Sequence, residues 1–216
     1  MDHCNLRTSI VVQGATSHNQ DRAVAIRLED ALLLVVSDGV GGMGGGAEAA
    51  DAVICFFGLH GGQFAASADP SIWALALAEV DRIALEDAAA GEATAVVAFV
   101  SRGSVCGASV GDSQAWLIDG AKLQDLTERQ RRRPLVGSGG AVPTSFGPVP
   151  LAGRLLIGTD GLFNYTKRER IVELGATVPI ADAAGALLEA ARLPSCELND
   201  DISIIVCGPV QTSALD

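Results

Sequence analysis

The chain has 216 residues, of which 49% are hydrophobic, and this is enough apolar material for one domain with a sizeable core. Its formal net charge of -11 argues against a general nucleic-acid binder, because phosphate contacts need clusters of basic residues. The longest apolar stretches fall far short of the roughly 20 residues of a membrane helix, and the N-terminus lacks the pattern of a secretory signal. We therefore expect a cytoplasmic protein without a membrane span.

Seven runs rich in Val, Ile and Leu are predicted to be β-strands. They are residues 23–28, 31–37, 93–101, 104–110, 114–118, 154–158 and 202–207. Two pairs of runs are separated only by Glu29-Asp30 and by Arg102-Gly103. Links this short favour hairpins over βαβ crossovers, so the sheet content is predicted to be largely antiparallel.

Helices are predicted between these strands, at residues 47–57, 71–90, 167–174 and 181–191. The second helix follows Asp69-Pro70, a pair typical of a helix start. Residues 137–153 are rich in Gly, Pro and Ser and are predicted to be the only extended irregular stretch. One α+β domain over residues 1–216 is the economical interpretation.

Aspartates mark the ends of several predicted strands. Three apolar runs end at Asp38, Asp112 and Asp160, and two others begin just after Asp21 and the pair Asp200-Asp201. In an antiparallel sheet the C-terminal end of one strand lies beside the N-terminal end of its neighbour, so these aspartates can meet at one edge. Any one of them alone is more typical of a helix cap or a turn.

Converging carboxylates repel one another unless cations neutralise them, so this pattern predicts a metal site. The five cysteines are scattered, without a CxxC pair or nearby histidines that would complete a zinc site. Ligands that offer only oxygen favour Mg²⁺ or Mn²⁺. Two such ions about 3.5 to 4 Å apart can bridge a water, lower its pKa and direct it at phosphorus. The predicted chemistry is phosphoester hydrolysis.

The glycine loop at residues 39–44 offers a competing interpretation. It matches GxGxxG between a predicted strand and a predicted helix, as a dinucleotide-binding turn does. Against nucleotide binding, Asp38 would place a negative charge beside the pyrophosphate, and the acidic ribose partner is missing around His60. The alternative is that these glycines give metals and substrate access to the backbone.

Six segments together resemble the metal-dependent type 2C protein serine/threonine phosphatase family. They are NQD (19–21), VVSDGVGGMGGG (35–46), GEATAVVAFV (91–100), VGDSQAWLI (110–118), LLIGTDGL (155–162) and NDDISIIV (199–206). Their order and spacing agree with the family across almost the whole chain. The resemblance implies a four-layer α/β/β/α sandwich of two antiparallel sheets, with a metal site in the channel between sheet edges.

The resemblance also implies a set of metal ligands. Asp38 resembles the carboxylate that bridges two metal ions, and Gly39 resembles the carbonyl ligand beside it. Asp160 and Asp200 resemble the remaining direct ligands, with Asp200 chosen over its neighbour Asp201. Two ions of Mn²⁺ or Mg²⁺ are therefore expected as cofactors.

Two further aspartates have implied roles. Asp21 resembles the first-motif aspartate that acts on metal-held water, so Asp21 and Asp38 are the expected catalytic residues. Asp112 occupies the position that in bacterial members is associated with a third, looser ion. The implied activity is hydrolysis of phosphoserine or phosphothreonine in a protein partner, by a chain expected to be monomeric.

The chain departs from the family at the residue that holds the substrate phosphate. Family members usually carry an arginine five residues before the first-motif aspartate, and here that residue is Thr16. His18, Arg22 and the basic run at residues 129–133 are candidate substitutes, and the sequence does not choose among them. A catalytically weak module that binds phosphoproteins is the alternative function that this change allows.

Two smaller departures complete the comparison with the family. The arginine of the family's GDSR motif is Gln114, and the flap segment between Leu126 and Leu155 is shorter than usual. The resemblance therefore implies a minimal member of the family.

Overall fold

The computed structural model describes residues 6–41, 44–65 and 68–209. Within these ranges the strands are β1 (Leu6–Gln13), β2 (Asp21–Arg27), β3 (Ala31–Val40), β4 (Glu92–Ala93), β5 (Ala95–Ser101), β6 (Ser104–Val110), β7 (Gln114–Asp119), β8 (Lys122–Asp125), β9 (Thr144–Pro150), β10 (Arg154–Gly158) and β11 (Ile202–Pro209). The helices are α1 (Gly46–Phe64), α2 (Pro70–Glu86), α3 (Asp160–Phe163), α4 (Arg168–Thr177) and α5 (Ile180–Ala191).

The strands form two antiparallel sheets. One has the order β1-β11-β10-β7-β8, and the other has the order β2-β3-β5-β6-β9 with β4 paired to the end of β3. Both predicted hairpins are confirmed, because β2 pairs with β3 and β5 pairs with β6. In the second hairpin Arg102 and Gly103 adopt φ values of 50° and 72°, as a two-residue turn that matches the strand twist requires.

The two sheets pack face to face between layers of helices. Val36 and Val96 of one sheet share a buried cluster with Leu155 and Ile205 of the other. Helices α1 and α2 cover the outer face of the β2-to-β9 sheet, while α4 and α5 cover the outer face of the other sheet. The predicted four-layer α/β/β/α sandwich is therefore confirmed.

The prediction of an irregular stretch at residues 137–153 was wrong in part. Residues 144–150 form β9, which pairs with β6 at the edge of its sheet. Pro148 and Pro150 have no N–H to donate, and this composition indicated a loop. An edge strand tolerates proline because only one of its sides needs to bond to a neighbour.

Other elements differ in their limits or had not been predicted. Strands β1 and β8 and the short helix α3 carry too weak an apolar pattern to be recognised alone. Helix α1 continues to Phe64, and α2 ends at Glu86. The predicted start of α2 is confirmed, since the Asp69 side chain accepts a hydrogen bond of 2.9 Å from the Ser71 amide.

None of the described helices is long and apolar enough to cross a membrane. The four cysteines in the described ranges are free thiols: Cys106 and Cys207 are buried, and Cys55 and Cys196 are exposed. No group of three metal-binding side chains among the described residues includes any of them.

Candidate metal centre

The edges of the two sheets border a cleft of about 700 Å³. Five aspartates contribute to its lining, namely Asp38, Asp112, Asp160, Asp200 and Asp201. Gly39 lies beside Asp38 on the same wall, and Arg132 and Arg133 also face the cleft. The cleft thus gathers acidic residues that are up to 163 positions apart in the chain (201 − 38).

The antiparallel register explains how these aspartates come together. Asp21 opens β2 directly opposite Asp38 near the end of β3. Asp112 follows the end of β6, Asp160 follows β10, and Asp200 lies two residues before β11. Each carboxylate therefore belongs to a strand end on the same side of the sandwich.

Three of these aspartates form a compact cluster. One carboxylate oxygen from each of Asp38, Asp112 and Asp160 lies within 4.8 Å of the other two, and all three residues are partly buried. The Asn164 amide donates a hydrogen bond of 2.8 Å to Asp160 Oδ2, which limits the rotation of that carboxylate. An oxygen-only cluster of this size fits a hard divalent cation such as Mg²⁺ or Mn²⁺.

Asp21 lies deeper than the cluster, with a relative exposure of 1%. Its Oδ2 accepts a hydrogen bond of 2.7 Å from the Thr159 hydroxyl. Its buried Oδ1 receives no N–H or hydroxyl donor from the described residues. The Asp21 carboxyl also lies within hydrogen-bonding reach of the Asp38 carboxyl, so a proton shared by the two can offset their repulsion when no cation is bound.

Burial and mutual repulsion shift the titration of the whole group. Burial, followed by the negative charges of Asp21 and Asp160, raises the pKa of Asp38 to about 9. Burial also raises the pKa of Asp21 to about 7, although the Thr159 hydroxyl opposes the shift. The pKa values of Asp160 and Asp200 are raised as well, chiefly by burial. Without metal the cluster retains protons, and a divalent cation can replace them.

Two threonines support the site and had no role in the sequence-based prediction. The Asp38 amide donates to Thr94 Oγ1 at 3.2 Å, and the Thr94 amide donates to the Asp38 carbonyl at 2.8 Å. Thr159 holds Asp21 and also accepts a hydrogen bond of 2.9 Å from the Ser203 amide. Both lie inside the motif segments, but nothing in a threonine within an apolar run indicates which carboxylate it contacts.

The neighbouring aspartates 200 and 201 have different surroundings. Both oxygens of Asp201 accept backbone amides of the loop before β2, from Ala15 at 2.8 Å and from Gln20 at 2.7 Å. Among the described residues, Asp200 accepts a hydrogen bond only from the adjacent Asp201 amide, at 2.9 Å. Asp201 therefore organises the loop, and this supports the choice of Asp200 as the metal ligand.

The three predicted candidates for phosphate binding differ in where they lie relative to the cleft. His18 is exposed, and its ring nitrogen is 3.2 Å from the Ser17 hydroxyl. Arg22 pairs with Asp51 at 2.6 Å and donates to two backbone carbonyls. Neither residue lines the cleft, whereas Arg132 and Arg133 from the basic run do.

The glycine loop has the surroundings of an antiparallel sheet. Both neighbours of β3 in its sheet, β2 and β5, run antiparallel to it. A dinucleotide-binding turn follows a strand of a parallel sheet, so this topology disfavours nucleotide binding. Gly42 and Met43 of the loop lie outside the described residues.

Comparison with solved structures identifies the fold. No family model and no curated protein matches the chain. An arginine mutant of a bacterial serine phosphatase is 22% identical, with a TM-score of 0.80 over 93% of this chain and 97% of that one. Serine/threonine phosphatase Stp1 from Staphylococcus aureus is 21% identical, with a TM-score of 0.78 and 94% of each chain covered.

A third solved structure holds metal. It is the catalytic domain of the serine/threonine phosphatase PstP in complex with two manganese ions, 20% identical, with a TM-score of 0.78 over 94% of this chain and 97% of that one. Because these sequence identities are low, the structural similarity shows that the chains share a fold. The chain therefore has the fold of the bacterial PPM-type serine/threonine phosphatases.

Proposed function

We propose that the chain is a metal-dependent phosphatase that hydrolyses phosphoserine or phosphothreonine in cytoplasmic proteins. One observation carries the proposal: the oxygens of Asp38, Asp112 and Asp160 lie within 4.8 Å of one another, beside the buried Asp21. Carboxylates this close need cations, and the fold is one in which solved phosphatases are found.

Asp38, Gly39, Asp160 and Asp200 are the proposed ligands of two Mn²⁺ or Mg²⁺ ions, and Asp112 is the proposed ligand of a third. The PstP domain with two manganese ions supports this number. When bound, such ions polarise the phosphoryl group and make a water acidic enough to act as the nucleophile at neutral pH.

The protein's own residues orient the reaction. Asp21 Oδ1 has no donor among the described residues, so it is available to accept a proton from the attacking water. Thr159 holds the other oxygen of this carboxylate at 2.7 Å. Thr94 fixes the backbone of Asp38 through both its amide and its hydroxyl, so the carboxylate stays in place during turnover.

Hydrolysis of p-nitrophenyl phosphate and of a phosphothreonine peptide with Mn²⁺ tests this function. We expect turnover that EDTA removes and that Asp38→Ala abolishes. Asp119→Ala is the matched control, because it removes the same charge from an exposed position outside the cleft lining. Turnover that survives both EDTA and Asp38→Ala would contradict the proposal.

A second candidate function is a phosphoprotein-binding module with weak or no turnover. Thr16, which stands where the family carries its phosphate-binding arginine, favours this candidate. It predicts that Mn²⁺ binds and that a phosphopeptide binds in its presence, while hydrolysis stays at the level of the Asp38→Ala variant.

A further inference from the structure

The acidic cleft has one basic wall. Arg132 and Arg133 lie in the segment between β8 and Leu135, and both line the cleft together with Asp38 and Asp160. The carboxylates of this cleft repel a dianionic phosphate, and a cationic side chain on the cleft wall counters that repulsion. The positions and existing contacts of the nearby arginines decide which of them can provide this positive charge.

The arginines near the cleft differ in the ion pairs and hydrogen bonds that they already form. Arg22 is engaged by Asp51 and by backbone carbonyls, and it does not line the cleft. Arg133 pairs with Glu92 at 3.0 Å. The Arg132 guanidinium forms no hydrogen bond or ion pair with any part of the chain that the structure describes.

The backbone on both sides of Arg132 is fixed to the metal-binding strands. The Gly111 amide, next to Asp112, donates to the Arg131 carbonyl at 3.0 Å. Val136 and Ala93 exchange two backbone hydrogen bonds of 2.9 and 3.0 Å, next to the Thr94 that holds Asp38. Arg132 is therefore an exposed side chain on a segment whose position relative to the aspartates is set.

We infer that Arg132 binds the phosphoryl oxygens of the substrate. It takes the role of the phosphate-binding arginine that the family usually carries in the loop before β2, where this chain has Thr16. The inference rests on the proposed function, since it concerns the same cleft. A guanidinium presents parallel N–H groups that match two oxygens of a phosphate monoester, and a lysine cannot reproduce that fork. Arg133 also lines this wall, but Glu92 already holds its guanidinium in an ion pair of 3.0 Å.

Binding of inorganic phosphate to the Mn²⁺-loaded protein, measured by calorimetry, tests the role directly. We expect Arg132→Ala to weaken phosphate binding by about 10- to 100-fold, the range for losing hydrogen bonds to a charged group. Arg132→Lys restores only part of the affinity. The KM for a phosphothreonine peptide rises in parallel, and the affinity for Mn²⁺ is no weaker because Arg132 is not a ligand.

Arg131→Ala is the matched control, since it removes the same charge one residue away from a side chain outside the cleft lining. Its phosphate affinity stays close to that of the unaltered protein. If Arg131→Ala and Arg132→Ala weakened phosphate binding equally, the cause would be the loss of one positive charge near the cleft and not the loss of a direct contact. That result would overturn the inference. So would unchanged phosphate binding in Arg132→Ala, or no phosphate binding by the unaltered protein.

The experiment also separates this inference from the proposed function. Mn²⁺-dependent phosphate binding that is lost in Arg132→Ala, in a protein without turnover, supports the role of Arg132 and overturns the phosphatase activity. Turnover that is insensitive to Arg132→Ala, with phosphate affinity unchanged, overturns the role of Arg132 and leaves the phosphatase activity standing.

Discussion

Asp21 and Asp38 face each other across the β2–β3 pair, and burial raises the pKa of both. In the unfolded chain these carboxyls ionise near pH 4, whereas in the folded, metal-free protein their pKa values are about 7 and about 9. Between those limits the folded state binds more protons than the unfolded state. The free energy of unfolding must therefore fall as the pH rises.

We expect the melting temperature of the protein in EDTA to decrease by several degrees from about pH 5 to about pH 9. Asp38→Asn removes the more strongly shifted group and should flatten this dependence. A series of thermal unfolding curves with the same buffer ionic strength measures both slopes. A melting temperature that rises over this range would contradict the shift assigned to Asp38.

Thr159 allows a second test at the level of one side chain. Thr159→Val removes the hydroxyl that donates to Asp21 and accepts from Ser203, and it leaves both partners buried without a hydrogen bond. We expect a loss of about 1–3 kcal/mol in the free energy of unfolding, measured in urea, together with reduced turnover. Thr159→Ser keeps the hydroxyl and should stay close to the unaltered protein, so equal losses in the two variants would argue for packing instead.

At the scale of elements, helix α2 positions the loop at residues 137–141, which follows the segment that carries Arg132 and Arg133. Asp81 is 5% exposed, and its carboxylate accepts the amides of Gly137, Gly139 and Ala141 at 2.7, 2.9 and 3.0 Å. Three amides of one loop thus converge on one side chain from another element. The carboxylate gives the loop a hydrogen-bonding core that regular secondary structure does not supply.

We expect Asp81→Ala to lower the free energy of unfolding by about 2–4 kcal/mol, because it leaves buried amides unpaired. Urea denaturation checks this value. Glu79→Ala is the control, since it removes the same charge from an exposed position of the same helix. Comparable losses in both variants would point to helix electrostatics and not to the loop.

The elements also show which parts of the fold can be predicted from local sequence. The β2–β3 and β5–β6 hairpins were recognisable because continuous apolar runs flank links of two residues. Strands β1 and β9 were not recognisable, because edge strands are half-exposed and β9 contains two prolines. The convergence of aspartates followed from strand ends alone, once the strands were taken as antiparallel.

The basic wall of the cleft could not be predicted in the same way. Nothing in the run of arginines from residue 129 to residue 133 distinguishes Arg132 from Arg131. The distinction depends on hydrogen bonds to Gly111 and Ala93, which lie about 20 and about 40 residues away in the chain. These hydrogen bonds form only when the sheets have formed, so a local sequence pattern cannot predict them.

At the scale of the whole molecule, the cluster joins the two sheets. Asp38 lies in β3 and Asp112 follows β6, both strands of the β2-to-β9 sheet, whereas Asp160 follows β10 of the other sheet. A cation held by residues from both sheets opposes their separation. Metal binding should therefore stabilise the sandwich as a whole and not only the cleft.

We expect Mn²⁺ at about 100 times its dissociation constant to add about 2.7 kcal/mol to the free energy of unfolding. Thermal unfolding with Mn²⁺ and with EDTA measures the difference. Asp38→Ala should remove most of the increase, and Asp119→Ala should retain it. Stabilisation of the same size in Asp38→Ala would show that the ion binds elsewhere.

The position of β11 has a consequence for how the protein is made. This strand lies between β1 and β10 in its sheet, although it follows all other described elements in the chain. During synthesis β1 leaves the ribosome early, but it cannot form its ladder with β11, which pairs with it along its whole length, until the end of the chain has been made. Asp200 emerges just before that strand, so a nascent chain cannot complete the lining of the acidic cleft until β11 has left the exit tunnel. Until then the newly made chain exposes unpaired strand edges, which are the sites at which strands of other chains can pair with it.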